Sequence, residues 1–365
     1  MKITAVTTFV TSMPMIIAGD TPMVGGRPRT AIETLLVRVD TDAGISGWGE
    51  AFGHRVWPVT RTAIDRMITP LCIGRDPTAI SALMHDLAHT LHGAGRSGPA
   101  MYGMSAIDIA LWDIAGKIAN RPLYQLLGGS PRTELPAYAS LLRYGKAEAL
   151  EPRIAEALGR GYNLIKIHEI DPAIIRAARR ACGDGVPLMV DCSTPWTPLQ
   201  AVAMCDELYE LDLEFLEEPV WPPEDHAGLA RVRAEGGIPV AAGENVGTVN
   251  EFHRLFERGS LDVAQPSVTK VGGVTEMQKV FALAEAHGVR VVPHSAYFGP
   301  GLLASIHVCA AQAQQPWVER FYCDFAENPL GDVINPKNGR FAIPQGPGLG
   351  VDPDPVLLKK FAIES

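Results

Sequence analysis

The sequence predicts an α/β fold: a (β/α)8 barrel of the TIM type, with an irregular last helix, preceded by an N-terminal α+β capping domain. Three observations carry this. Residues 1 to about 55 alternate as antiparallel strands do. From about residue 133, eight short apolar runs are interleaved with helical stretches, at a period of one strand, one helix and two loops. Three consecutive runs end on an acid: Leu188 to Asp191, Glu214 to Glu217, and Val240 to Glu244, with the acids 26 and 27 residues apart.

In chain order, Thr34–Val39 and Gly44–Glu50 read as strands joined by a turn. The segment 13–29 before them mixes Gly and Pro with Met15, Ile16, Ile17, Met23 and Val24, as a lid over a ligand would. Residues 58–127 read as helices. His85, His89 and His92 share a helical face there, and with no acid or Cys to complete a metal set they read as a polar face. The barrel strands follow at 134–140, 163–168, 187–191, 214–218, 239–244, 262–267, 290–295 and 317–320. They are short and apolar throughout, as parallel strands buried on both faces are. The expected division is a cap of residues 1–127, a barrel of 128–330, and a Pro- and Gly-rich C-terminal segment, 331–365, that returns to the cap.

Net charge is −9, pI is near 5.6, and no Lys/Arg run occurs, which argues against nucleic acid and anionic membranes as partners. No apolar run reaches spanning length, and no signal-peptide pattern opens the chain. Six scattered cysteines without CxxC spacing suit reduced thiols, and a cytoplasmic location is expected.

Strands of a parallel barrel end on one rim, so Asp191, Glu217 and Glu244 are expected to converge there. Three carboxylates at one point repel unless a hard cation lies between them, which predicts one Mg²⁺ per subunit. Lys166 and His168, at i and i+2 of the second barrel strand, share a face and are candidate bases. His294 ends the seventh strand, across the barrel mouth. Glu319 ends the eighth and could donate a proton or hydrogen bond to an oxyanion. A metal with bases on two faces suits removal of the α-proton of a carboxylate substrate, through an enediolate.

These residues resemble the enolase superfamily, in its mandelate racemase/muconate lactonizing enzyme family and the mandelate racemase branch of it. In the cap the resemblance rests on the run from Ser105 to Lys117. In the barrel it rests on Lys166-Ile167-His168, the three acids, Lys270-Val271-Gly272-Gly273, His294 and Trp317-Val318-Glu319. It implies Mg²⁺ on the three acids, bases at His168 and His294 with Lys166 supporting the first, Glu319 as electrophilic partner of the substrate carboxylate, and a homo-oligomer. It implies a small-molecule carboxylate substrate: dehydration of a hydroxy or sugar acid, or racemisation or epimerisation of an α-substituted acid. Muconate-type cycloisomerisation and a non-catalytic ligand-binding relative are the alternatives.

Three positions depart from the family pattern. His168 stands where a second Lys is usual. Ser267 stands where the racemase-type Asp partner of the strand-seven His, or the Lys of the muconate branch, would be, although Lys270 lies close by. Ser193 replaces a frequent Asn after the first metal acid. Ile16, Ile17, Met23, Val24, Trp57, Tyr297 and Phe298 are expected to line a rather apolar substrate pocket, with Ser193, Ser267 and Lys270 as further specificity positions.

Overall fold

Ile3–Ile16 and Ala31–Thr41 pair antiparallel, with Ala5 opposite Asp40 and Pro14 opposite Ala31, and Ser46–Ala51 extends the sheet. In this computed structural model, which describes residues 1–24 and 26–363, the sheet is covered by the 21-residue helix Pro99–Ala119. The helix lies close because Gly47 and Gly49 face it. A Cβ at either would drive into the carbonyl oxygens of Ala110 or Ala106. Leu35, Val37, Ile64, Leu87, Ile107 and Leu111 form the apolar core between them. His85, His89 and His92 are exposed on the shorter helix Ile80–Thr90 and the turn after it, as a polar face should be.

The barrel strands are Glu134–Ser140, Ile165–Ile167, Leu188–Asp191, Leu213–Glu217, Val240–Ala242, Val263–Ala264, Arg290–Val291 and Val318–Phe321. All pair parallel, in the spatial order seven-six-five-four-three-two-one-eight. Several are shorter than the apolar runs suggest, because pairing stops where each chain turns out to the rim. Between strands seven and eight Ser295 joins the edges: its N–H donates to Glu319 Oε2 at 2.9 Å, and the Glu319 N–H donates to Ser295 Oγ at 2.9 Å.

Among the described residues seven helices wrap the barrel, from Ala147–Gly159 to Pro300–Ala311, and beyond strand eight the one α-helix is the short Pro355–Lys360 near the end of the chain. The chain instead adds Asp324–Phe325 to the cap sheet, opposite Ile16 and Met15. Pro329, Pro336, Pro344, Pro347 and Pro353 then preclude a long helix. Arg340–Ala342 pairs with the first barrel strand, and the Phe361 carbonyl accepts from the Ser12 N–H of the cap at 2.8 Å.

Cap and barrel are stitched by the long cap helix. The barrel helix Gly273–Ala286 begins beneath it, and its first N–H groups have no partners within their own helix. Ser105 Oγ accepts from the Gly272 N–H at 2.9 Å, and Asp108 Oδ1 from the Thr275 N–H at 3.0 Å. Asp113 accepts from Trp48 N in the cap sheet and from Leu349 N in the C-terminal segment. All six cysteines are buried and unpaired, and among the described residues no helix is long and apolar enough to cross a membrane.

Candidate active site

Inside the barrel the side chains lie in two layers. The lower is apolar, with one residue from each strand or its immediate flank: Tyr138, Leu164, Met189, Phe215, Ala241, Val263, Val292 and Trp317. Two residues further along each chain the side chain points inward again. Those positions are Ser140, Lys166, Asp191, Glu217, Gly243, Gln265, His294 and Glu319. Seven are polar. The eighth, Gly243, has φ +126° and packs on the Phe252 ring, and the acid follows it as Glu244.

One oxygen from each of Asp191, Glu217 and Glu244 lies within 4.8 Å of the other two. Lys166, fully buried, reaches Glu217 at 3.0 Å, Glu319 at 2.9 Å and Asp191 at 3.8 Å. Gln265 Nε2 donates to Glu217 at 2.7 Å. Burial, then the charges of Asp191 and Glu319, raise Glu217 to about 8 against the pull of Lys166. Burial works against Asp191 as well, but the neighbouring His168 and Lys166 hold it well below the usual carboxylate range. An all-oxygen set of three converging carboxylates fits a hard dication.

His168 Nδ1–H donates to the Leu141 carbonyl at 2.6 Å, which leaves Nε2 at 3.1 Å from Asp191. Burial lowers its pKa, but Asp191 outweighs burial and the net shift is upward. His294 Nε2 lies 3.2 Å from Glu244. Its pKa falls, chiefly through burial, with Lys270 and Lys166 adding to the fall against Glu244 and Glu319. The two imidazoles thus stand on the two outer acids of the trio, from strands separated by four others on one side and two on the other.

Behind His294 there is no acid on strand six. Its Nδ1 is 3.1 Å from the Tyr297 hydroxyl, which in turn bonds Ser267 Oγ. Lys270 lies 3.1 Å from Glu244 and sits over the Phe52 ring. Burial alone would raise Glu319, but Lys166 and His294 bring it down to about 2. It does not pair with Arg320, whose guanidinium bonds the Phe321 and Cys323 carbonyls.

A cavity of about 400 Å³ opens above these groups, with His168, Asp191, Ser193, Glu244, Lys270, His294, Tyr297 and Phe298 in its wall. Met23 lines it from the segment 13–29. Its N–H donates to the Arg143 carbonyl at 2.7 Å, which docks that segment onto the first barrel loop. Ile17 does not reach the cavity. It lines a separate recess with Tyr322 and Arg153, whose guanidinium bonds the Ala18 carbonyl. Ile16 is exposed, and the Val24 side chain lies outside the described part. Trp57 opens a cap helix and packs on the cap core, so the wall there is made by Phe52, Gly53 and His54 instead.

Glu33, Thr34, His54 and Arg143 add polar groups to the apolar wall made by Met23, Phe52, Tyr297 and Phe298. Glu218 and Asn245 were not anticipated. Glu218 is buried at φ +45° and accepts from Asn245 Nδ2 at 3.2 Å. Burial and then Glu244, Asp191 and Glu217 push its carboxyl well up. Its signal was the doubled acid in Glu217-Glu218-Pro219.

Residues 149–357 match the family of enolase C-terminal domain-like proteins, and residues 6–128 match the mandelate racemase/muconate lactonizing enzyme N-terminal domain. Among curated relatives, D-galactarolactone cycloisomerase of Agrobacterium fabrum is 32% identical, covering 99% of each chain. Arabinonate dehydratase of Saccharolobus solfataricus is 31% identical, covering 91% of each. Among solved structures, L-talarate dehydratase of Polaromonas sp. JS666, complexed with Mg and L-glucarate, superposes with a TM-score of 0.85 at 30% identity, covering 100% of this chain and 98% of that one. With its cap, its eight-stranded parallel barrel and matches over nearly its whole length, the chain belongs to the mandelate racemase/muconate lactonizing enzyme family of the enolase superfamily.

Proposed function

We propose that this protein is a Mg²⁺-dependent dehydratase of a hydroxy or sugar acid. The observation that carries the proposal is the convergence of Asp191, Glu217 and Glu244, with one imidazole on each outer acid. Those three carboxylates would hold the metal. When bound, Mg²⁺ supplies positive charge against the substrate carboxylate while the α-carbon gives up its proton. Lys166, buried and cationic, keeps Glu217 and Glu319 in place from between them. One imidazole takes the α-proton. The other protonates the departing β-hydroxyl, so that the C–O bond breaks and water leaves. The remaining enol takes a proton at the β-carbon and becomes a 2-keto acid.

A second reading, opening of a sugar-acid lactone, is favoured by the cycloisomerase relative that spans the whole chain. The α-proton departs in the same way, but a ring oxygen leaves in place of hydroxide. Ser267, which replaces the Lys of the muconate branch, speaks against the muconate type of that chemistry.

The test is a panel of aldonates, aldarates, their lactones and simpler 2-hydroxy acids, incubated with Mg²⁺ in D₂O. A 2-keto acid formed from an open-chain acid supports dehydration, and the same from a lactone supports ring opening. α-Deuterated substrate without product means racemisation or epimerisation. Neither exchange nor product across the panel sinks the proposal. On any hit, His168→Ala and His294→Ala identify the base as the residue whose loss abolishes α-exchange.

A further inference from the structure

We propose that Glu50 of the cap is a positioning residue for the His294 side of the site: its carboxylate anchors the start of the barrel helix Pro300–Ala311 and so fixes the segment from His294 to Gly299 that leads into it. This rests on the reading above only in taking His294 as a working imidazole.

Glu50 lies in the cap strand Ser46–Ala51 and is 3% exposed. Its Oε2 accepts from the Gly301 N–H at 2.8 Å, across 251 residues of chain. The helix cannot cap itself. Its N-cap is Gly299, which has no side chain, and Pro300 at the first position has no N–H. The first N–H of the helix therefore belongs to Gly301, which is buried, and its partner comes from the other domain. A carboxyl oxygen at a helix N-terminus is favoured by the helix dipole as well as by the bond itself. The seat also fits this one group. A Cβ on Gly299 would lie 2.7 Å from Glu50 Oε2, and one on Gly301 would lie 2.9 Å from it and 2.6 Å from Thr269 Cγ2. Burial pushes the carboxyl up to about 7 against the N–H groups of Gly301 and Gly299, so near neutral pH the oxygen acts as much through its lone pairs as through full charge.

The segment ahead of the helix is held at three points. The Ser295 N–H donates to Glu319 near its start, the Phe298 carbonyl accepts from Asn328 Nδ2 at 3.1 Å, and Glu50 holds the far end. Of the three, Glu50 alone reaches in from the cap. Between them sits Tyr297, with its hydroxyl 3.1 Å from His294 Nδ1. Without Glu50 the buried Gly301 N–H loses its partner, the helix start shifts to find another, and the contact behind His294 shifts with it.

The test is nitrogen NMR of the imidazoles in Mg²⁺-loaded, histidine-labelled protein, together with amide exchange of residues 294–303 followed by mass spectrometry. Neither needs a substrate. The ring signals of His294 and His168 are assigned by replacing each with Ala. Glu50→Ala should speed exchange in the segment at least about tenfold, as loss of one charge-assisted hydrogen bond predicts. It should move the His294 ring signals and leave those of His168 in place. Glu50→Gln, which keeps an acceptor oxygen, should restore most of both. Gly301→Ala crowds the same seat with Glu50 intact. It should also move the His294 signals, and it decides the matter if Glu50→Ala does not fold. On any acid the wild-type protein turns over, Glu50→Ala should lower kcat about 10- to 100-fold and leave KM within about threefold, because Glu50 acts through His294.

The proposal falls if exchange in the segment is unchanged in Glu50→Ala. It falls equally if Tm drops while the His294 signals stay where they were, since the contact is then structural only. A raised KM with kcat unchanged overturns it too, by making Glu50 a substrate contact. The predicted shifts in a protein that turns over no acid of the panel overturn the dehydratase reading alone.

Discussion

His294 shows how a single position alters a site. Family resemblance places an Asp behind it, but the chain has Ser267, and the gap is filled by Tyr297. A hydroxyl can orient an imidazole without offsetting its charge. Tyr297→Phe is therefore expected to lower turnover by about 10- to 100-fold while the fold persists, as kcat alongside thermal melting would show. The metal acids respond differently. Asp191→Asn removes one charge of the trio and should abolish calorimetric Mg²⁺ binding with little change in secondary structure by circular dichroism. At this scale the acids were legible, because each closes an apolar run. Arg29 and His54 were not. They lie 25 residues apart, and their contact leaves no mark in either segment.

Elements explain why the polar groups meet. Each strand presents an apolar residue inward, and in seven of the eight a polar one follows two positions later. A barrel strand too short to show alternation therefore still carries a two-step signature, as in Leu164 and Lys166 or Phe215 and Glu217. The rim after strands three and four is strained, with Ser193, Thr194 and Glu218 all at positive φ. The cap helix depends on close approach. Gly49→Ala would push a methyl into the Ala106 carbonyl and is expected to cost about 1–3 kcal/mol or more, measurable by urea denaturation. An effect under about 0.5 kcal/mol would show that the helix can move away freely. The irregular end of the barrel and the return of the Pro- and Gly-rich segment to the cap were legible in composition. The pairing of Asp324–Phe325 with the cap sheet was not, since a two-residue strand leaves no periodic trace.

For the whole molecule, stability is linked to metal and to protons. Mg²⁺ is expected to bind the folded chain alone, so free ion at 100 times Kd should add about 2.7 kcal/mol and chelation should lower Tm. An unchanged Tm with and without chelator would contradict the trio as a metal site. Asp108 is buried between cap and barrel, and burial pushes its carboxyl up to about 7 from 3.8 despite its hydrogen bonds to Thr275. The folded protein keeps a proton there that the unfolded chain releases near pH 4. Its contribution is thus full below that pH and is lost as pH rises to about 7. Asp108→Asn should flatten the fall of Tm over that window, and an unaltered slope would place the titration elsewhere.

The amino-acid sequence by itself determined the class of fold, the order of its elements and the three acids at strand ends, because periodicity and spacing are local properties of a chain. Tertiary structure alone decided which residues share the cavity and that His294 is backed by a tyrosine. It alone decided that Ser105 and Asp108 cap a helix of the other domain. Those are contacts between segments far apart in sequence, and their partners are chosen by packing, which leaves no mark on either segment alone.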